Sequence, residues 1–333
     1  MEKITIISPS RGMLQDYPRR VNNGVKFLQR NGFSVEFAEN ARKQLNYISA
    51  SISDRIDDIH NACKNSETNV IMSAIGGYNA NQLLDGLDFE LIGNSNKIFV
   101  GYSDITALLV PIYAKTGIEV LHGISFLSEV CEYPCPYEYS WNSFLEAYKG
   151  MNVKWEPPYK STNEFYDWAI QEKEMYERKL NADIGWDIIR EGECEGILFG
   201  GNLSTIMNLI STDYLHINIF EGKILFIEEI NCSLAELDAL MYSMKQRGIF
   251  DRIAGLVIGK PDNEFKSEGS RDLKSVVLEV TTKRQFPIIS NVDLGHTDPM
   301  ITIPIGRSGY LSCNSQNGIL FGCNARNHKK LQL

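Results

Sequence analysis

The sequence predicts an α/β protein in two parts: an N-terminal domain on a Rossmann-like parallel sheet, and a smaller C-terminal domain of mixed α/β character. Three observations carry that expectation. Up to Gly123, short apolar runs alternate with amphipathic stretches, and strands spaced by helices imply right-handed crossovers and a parallel sheet. From about residue 131 to 190 the alternation stops, in a stretch that holds Pro134, Pro136, Pro157, Pro158 and all four tryptophans, Trp141, Trp155, Trp168 and Trp186. Regular patterning resumes at "GECEGILFGGN" (192–202). Residues 1–150 are therefore read as the N-terminal domain, 151–190 as an aromatic interdomain connection, and 191–333 as the C-terminal domain.

In order, "KITIISPS" (3–10) reads as a strand ending in a loop, and 17–31 as a helix closed by Gly32. "FSVEFAE" (33–39) alternates like a strand. "SDRIDDIHNACKN" (53–65) reads as an amphipathic helix with Ser53 as its cap. "NVIMSAI" (69–75) is a buried strand running into Gly76-Gly77, followed by a helix near Asn79. A strand at 98–102, a helix at 104–116 and the strand "IEVLHG" (118–123) close the series. A helix is expected at 137–149, before the connection, whose aromatic content argues against disorder. The second half predicts a helix at 203–213, a strand at 222–229, a long helix at 233–249, the strand "GLVIGKP" (255–261), a helix near 270–284, "PIISNVDLG" (287–295), and closing strands at 301–312 and 317–323.

Composition narrows the function. Among 333 residues, 43% are hydrophobic, and the net charge of −9 argues against a dedicated nucleic-acid binder, which would carry a basic face. The start "MEKITIIS" leads directly into a strand without the features of a signal peptide, and the longest apolar runs are too short to span a bilayer. A cytoplasmic protein without a membrane partner is the expectation. Seven scattered cysteines with no C-x-x-C pair fit reduced thiols rather than a zinc site or a disulfide framework, although Cys131 and Cys135 flank a Pro-containing turn where a bond is conceivable.

The chemistry collects at strand ends. Ser103, in "GYSD", follows a strand and opens a helix, at the sheet edge where α/β folds bind ligands. The helix start offers free N–H groups to an oxyanion. Ser103 is either a helix cap or a nucleophile. The sequence is not the G-x-S-x-G elbow, because Ile105 replaces the second glycine. A serine nucleophile needs a base held by a carboxylate. Of five histidines, His60 belongs to an amphipathic helix face, His328 to the polar tail, and His216 to a loop-to-strand passage. His122 in "LHG" and His296 in "VDLGHTDPM" both end strands and are equal candidates. Glu228 and Glu229 close the strand "ILFIEE"; one of the two must point inward, where a histidine would partner it. "SAIGGYNANQLL" (73–84) is neither a Walker A loop nor a dinucleotide fingerprint, but its glycines allow backbone N–H groups close to a ligand.

Together, "ISPSRG", "AIGGYNANQLL", "FVGYSDITALL", "VLHGISF", "GILFGGNLSTI", "LFIEEIN", "AGLVIGKP" and "DLGHTDPMITIPIG" resemble, in order and over nearly the whole chain, the LD-carboxypeptidase / microcin C immunity protein family of serine peptidases. The resemblance implies a triad of Ser103 as nucleophile, His296 as base and Glu228 as acid. It implies an oxyanion hole from the backbone N–H groups of Gly77 and Asp104, a cleft between the two domains, a homodimer, and no metal or other cofactor. It also implies the substrates. Murein LD-carboxypeptidases usually carry Arg directly before the Gly-Gly pair, where this chain has Ile75. The immunity branch, which this resembles more closely, cleaves the amide joining an amino acid or peptide to a nucleotide-like group. In that branch aromatic side chains of the connection stack on the base, which singles out Trp168 and Trp186; both could instead pack an interface. Gly76 and Asn202 would line the cleft, and Asn202 could equally cap the next helix. A small peptide or aminoacyl-nucleotide is thus the expected substrate, in a self-immunity or detoxification role. The alternatives are murein tetrapeptide hydrolysis and a non-catalytic small-molecule binder.

Overall fold

The computed structural model describes residues 1–162, 164, 168, 175–210, 212–261 and 271–326. The first half contains β1 (Glu2–Ile7), α1 (Pro18–Arg30), β2 (Phe33–Phe37), α2 (Ile52–Lys64), β3 (Thr68–Ser73), α3 (Phe89–Asn94), β4 (Ile98–Gly101), α4 (Thr106–Thr116), β5 (Val120–His122) and α5 (Glu138–Lys149). The connection adds β6 (Val153–Trp155), β7 (Lys160–Ser161), β8 (Asn181–Ala182) and β9 (Asp187–Arg190). The second half follows with β10 (Gly192–Asn202), α6 (Leu203–Leu209), β11 (Lys223–Glu228), α7 (Leu234–Gln246), β12 (Gly255–Gly259), α8 (Leu273–Val280), β13 (Ile288–Val292), β14 (Ile303–Ile305), β15 (Ser308–Asn314) and β16 (Gly318–Cys323).

The strands form a six-stranded sheet of order β14-β5-β4-β3-β1-β2, an eight-stranded sheet of order β6-β16-β15-β10-β11-β12-β13-β9, and a two-stranded ribbon of β7 and β8. Strands β1 to β5 pair in parallel, as the alternation predicts. So do β10 to β13, with antiparallel strands on either side. The fold is thus mixed α/β in two parts. Order 2-1-3 in the first sheet puts a topological switch between β1 and β3, and ligands of open α/β sheets bind outside the carboxyl ends at such a point.

Several boundaries differ from the sequence expectation. Helix α2 begins at Ile52, and its cap is Ser51, whose Oγ accepts from Asp54 N at 3.1 Å; Ser53 lies inside the helix. The segment near Asn79 is a 3-10 turn, Ala80–Gly86, and α3 follows it unforeseen. The stretch 301–312 is not one strand. It breaks at Gly306 (φ +98°) into β14, which joins the first sheet against β5, and β15, which joins the second. The connection is not an outside strap either: β6 and β9 form the two outer edges of the second sheet.

One element joins the halves. Helix α4 is buried from Thr106 through Ile112, on all sides rather than along a stripe. A helix apolar all round belongs in an interior. Leu108, Leu109 and Ile112 of α4 share one continuous core with Ile71 and Phe99 of the first sheet and Leu198, Phe199 and Phe226 of the second. A separate core on the other face of the first sheet packs Leu28, Phe126, Trp141 and Phe144. Among the described residues no helix is long and apolar enough to cross a membrane.

Candidate active site

Strand β4 ends at Gly101, Tyr102 is extended, and Ser103 opens a 3-10 turn, Ser103–Ile105, that feeds α4. The cap position belongs to Tyr102, so Ser103 is not the helix cap. Its φ is +61°, a conformation that costs a non-glycine residue about 1 kcal/mol or more. Ser103 Oγ lies 3.1 Å from His296 Nε2.

Both partners come from the second sheet. Glu228 ends β11 and is 2% exposed. His296 sits four residues beyond β13, after Gly295 with φ +87°. A Cβ on Gly295 would stand 2.6 Å from Glu228 Oε2, so only glycine lets this loop cross the glutamate. His296 Nδ1 is 2.7 Å from Glu228 Oε2. An ionised carboxylate only accepts, which puts the proton on Nδ1 and leaves the Nε2 lone pair facing the serine hydroxyl. Burial pushes the Glu228 carboxyl up, but the His296 charge and hydrogen bond, with the His122 imidazole close by, overcome this and hold it at about 2. Burial pushes His296 down, while the Glu228 charge and hydrogen bond outweigh that and leave it above its ordinary value. Glu229, the neighbour, turns the other way. It accepts from Ser204 N at 2.8 Å and from Asn202 Nδ2 at 3.0 Å.

The Gly76-Gly77 loop covers the nucleophile. A Cβ on Gly76 would stand 3.0 Å from Ser103 Oγ and 3.5 Å from Asp104 N. Gly77 has φ +155°, and a Cβ there would strike Ser10 Oγ at 2.3 Å. The loop is tied down by the Asp104 side chain, a role not read from sequence. Asp104 Oδ2 accepts from Ser10 Oγ at 2.5 Å, Asn79 N at 2.7 Å and Ala80 N at 2.9 Å. Ser10 Oγ in turn accepts from Tyr78 N at 3.1 Å. The loops after β1 and β3 are thus bound to the turn after β4, at the switch point.

Other predicted residues fall as follows. Asn202 caps α6: its Oδ1 accepts from Thr205 N at 3.0 Å, and its own N–H donates to Thr106 Oγ1 of α4 at 3.0 Å. Trp168 is half-buried against Tyr17, with the Arg20 guanidinium 4.2 Å from its ring. Trp186 Nε1 donates to Asp293 Oδ2 at 2.8 Å. Both indoles therefore have protein partners. His60 Nε2 accepts from Asp88 N at 2.9 Å, and His216 Nδ1 from Asn218 N at 3.3 Å. His328 lies outside the described residues.

Around Ser103, His296 and Glu228, charged groups pin the connection. Arg178 Nη2 donates to Glu132 at 2.6 Å and to Asp298 at 2.7 Å, two residues beyond His296. Thr162 N donates to Asp298 O at 2.6 Å. Lys260 bridges Asp183 and Asp293. Glu129, buried beneath Tyr102, accepts from its phenol at 2.9 Å and from Ser125 N at 2.6 Å. Burial and then the Asp298 charge push the Glu129 carboxyl up to about 8. All seven cysteines are free thiols.

Two α/β parts that bring a strained serine, a histidine and a buried glutamate into one hydrogen-bonded line have the build of a serine hydrolase. Comparison with known proteins gives the lineage. Residues 4–123 match the LD-carboxypeptidase N-terminal domain and residues 195–311 the LD-carboxypeptidase C-terminal domain, and the chain belongs to this peptidase family, as a carboxypeptidase-type hydrolase. It is 32% identical to the microcin C7 self-immunity protein MccF of Escherichia coli over 294 residues, 86% of this chain and 83% of that one. It is 26% identical over 306 residues to a Bacillus subtilis protein named "Probable murein peptide carboxypeptidase", covering 91% of this chain and 87% of that one. The structure of MccF in complex with glutamyl sulfamoyl guanosine superposes with a TM-score of 0.88 at 29% identity, over 99% of this chain and 97% of that one.

Proposed function

We propose that this hydrolase works through Ser103, His296 and Glu228 and cleaves the amide between an aminoacyl or peptidyl group and a nucleotide-like leaving group, in a self-immunity or detoxification role. The observation that carries the reading is the line from Glu228 Oε2 through His296 to Ser103 Oγ, with links of 2.7 and 3.1 Å. His296 Nε2 takes the hydroxyl proton as Oγ bonds to the carbonyl carbon. The carbonyl oxygen becomes an oxyanion facing the N–H groups of Gly77 and Asp104, each worth about 3 kcal/mol to such a transition state. When the C–N bond breaks, His296 returns the proton to the leaving nitrogen. Water then repeats the sequence on the acyl-serine, and His296 gives its proton back to Ser103.

The substrate class is supported by the likeness to MccF and by Ile75. An apolar side chain there, half-buried against the core beside α1, leaves the loop without the arginine that murein enzymes of the family usually carry. The murein relative supports a second reading, release of D-alanine from a murein tetrapeptide. A purely binding role would leave the short Ser103–His296 contact without a purpose.

The test is hydrolysis of an aminoacyl sulfamoyl adenosine, followed by release of the free amino acid. The wild type is expected to turn over and Ser103→Ala to lose about 10⁴-fold or more. Equal rates in the two proteins would overturn the mechanism. Release of D-alanine from tetrapeptide, with no cleavage of the sulfamoyl compound, would replace the first substrate reading by the second.

A further inference from the structure

His122 ends β5 and has no solvent exposure. It pairs with Gly101 of β4 on one side and Ile303 of β14 on the other. Among the described residues neither ring nitrogen has a hydrogen-bond partner. The same is true of Glu228 Oε1, the carboxylate oxygen that His296 does not use. These orphaned atoms face each other: His122 Nε2 is 3.8 Å from Glu228 Oε1. That is longer than a hydrogen bond and shorter than the roughly 4.5 Å that a bridging water spans. Buried polar groups are rarely left unpaired, and each of these has the other as its nearest remedy. The rings of Phe226 and Tyr102, with centroids 5.2 and 6.3 Å from that of His122, fence the imidazole.

We propose that His122 is a positioning residue, whose Nε2–H donates to Glu228 Oε1 and holds the acid from the side opposite His296. Glu228 is then gripped from two sheets at once: His296 by way of β13 and His122 by way of β5. A carboxylate held by one oxygen can rotate about its last torsion and carry the His296 ring with it; one held by both cannot. His122 touches neither substrate nor the reacting atoms, and acts through Glu228.

The proposal rests on the triad reading but makes separate predictions. Without a second donor, ionised Glu228 is less stabilised when His296 is neutral. The pair then takes up its proton at higher pH, and turnover, which needs neutral His296, loses its acid limb at higher pH. Other charged groups reach this site: Glu129 and Glu229 act on His296, and Tyr102 with its partner Glu129 packs over both imidazoles. Glu129, pushed up to about 8, is a second titrating group beside His296, so the comparison is repeated in a Glu129→Gln background.

The experiment compares the wild type with His122→Leu, which has no donor, and with His122→Gln, whose amide nitrogen lies near the lost Nε2. In His122→Leu, kcat is expected to fall about 10- to 100-fold, the worth of a hydrogen bond to a charged group. KM should stay within about twofold and the acid limb of kcat move up by about one pH unit. His122→Gln should restore most of kcat and return the limb. If His122→Leu does not fold, His122→Asn takes its place, because its shorter amide stops short of Glu228. Proton NMR titration of His296 in the same variants gives a readout without turnover. A shift of the His296 titration in the His122 variants, together with activity that survives in Ser103→Ala, would sink the triad and spare this contact. An unmoved acid limb and His296 titration in the Leu or Asn variant, or equal loss in Gln and Leu, would overturn the proposal.

Discussion

Glu228 keeps a full negative charge with almost no solvent contact, because imidazoles stand beside both of its oxygens. That charge is what raises His296 above its ordinary value, against the opposing effect of burial. The sign for activity follows. On the proposed mechanism turnover requires neutral His296, so the rate should rise as pH climbs through the raised value and fall away below it. Glu228→Gln removes the charge; the acid limb should move to lower pH while kcat drops about 10⁴-fold, read from a pH–rate profile. An acid limb that stays in place would mean that another group sets it. At this scale the sequence was informative in an uneven way. The family motifs point to Ser103, Glu228 and His296, and the fold draws those three side chains together. The residues alone left His122 and His296 equal, since both end strands near a sheet edge. Only the fold shows that one meets the serine and the other the glutamate's far oxygen. The cap of α2 is Ser51 rather than the expected Ser53, because both residue types are good caps and a two-residue shift in where α2 starts leaves little trace in hydrophobic spacing.

Among elements, the three loops at the switch point behave as one. Asp104 collects Ser10, Asn79 and Ala80 on a single carboxylate oxygen and thereby fixes the loop that contains Gly77. Asp104→Ala should free that loop while leaving the Asp104 backbone N–H in place. The expected result is a kcat loss of about 10²-fold, as for a displacement of roughly 1 Å at a reacting centre, with Asp104→Asn recovering part of it through its one acceptor oxygen. Unchanged kinetics in Asp104→Ala would show that the loop holds itself. The parallel strands were legible because apolar runs bounded by turns are strong signals. The split of 301–312 was not, because period-2 alternation says which face a side chain takes and nothing about which sheet the strand joins. That the expected helix near Asn79 is a 3-10 helix, Ala80–Gly86, rather than an α-helix escaped for a related reason. Its hold comes from Asp104, twenty-four positions away in sequence, rather than from its own spacing.

For the whole molecule, the halves are fastened far from the serine as well as at it. Arg307, 3% exposed, donates from Nε to Glu119 Oε2 at 2.8 Å and from Nη2 to Ala147 O at 2.7 Å; Arg326 adds a second donor to Glu119 at 2.8 Å. Arg307→Ala leaves the largely buried Glu119 with one partner fewer. A loss of about 3 kcal/mol is expected in denaturant unfolding, since breaking a buried ion pair strands the remaining charge. A change below about 1 kcal/mol would mean that Arg326 compensates. Composition and motif order conveyed the two-part architecture, but not how firmly the parts interlock, because long-range pairings such as β5 with β14 have no local signature. That pairing has a consequence in time. As the chain leaves the ribosome, Ser103 emerges well before Glu228 and His296, and the outer edge of β5 stays bare until Ile303–Ile305 arrive to cover it. On the proposed mechanism, a nascent chain that has not yet reached His296 carries the serine without its base, so hydrolytic power waits for the second half to be made and folded.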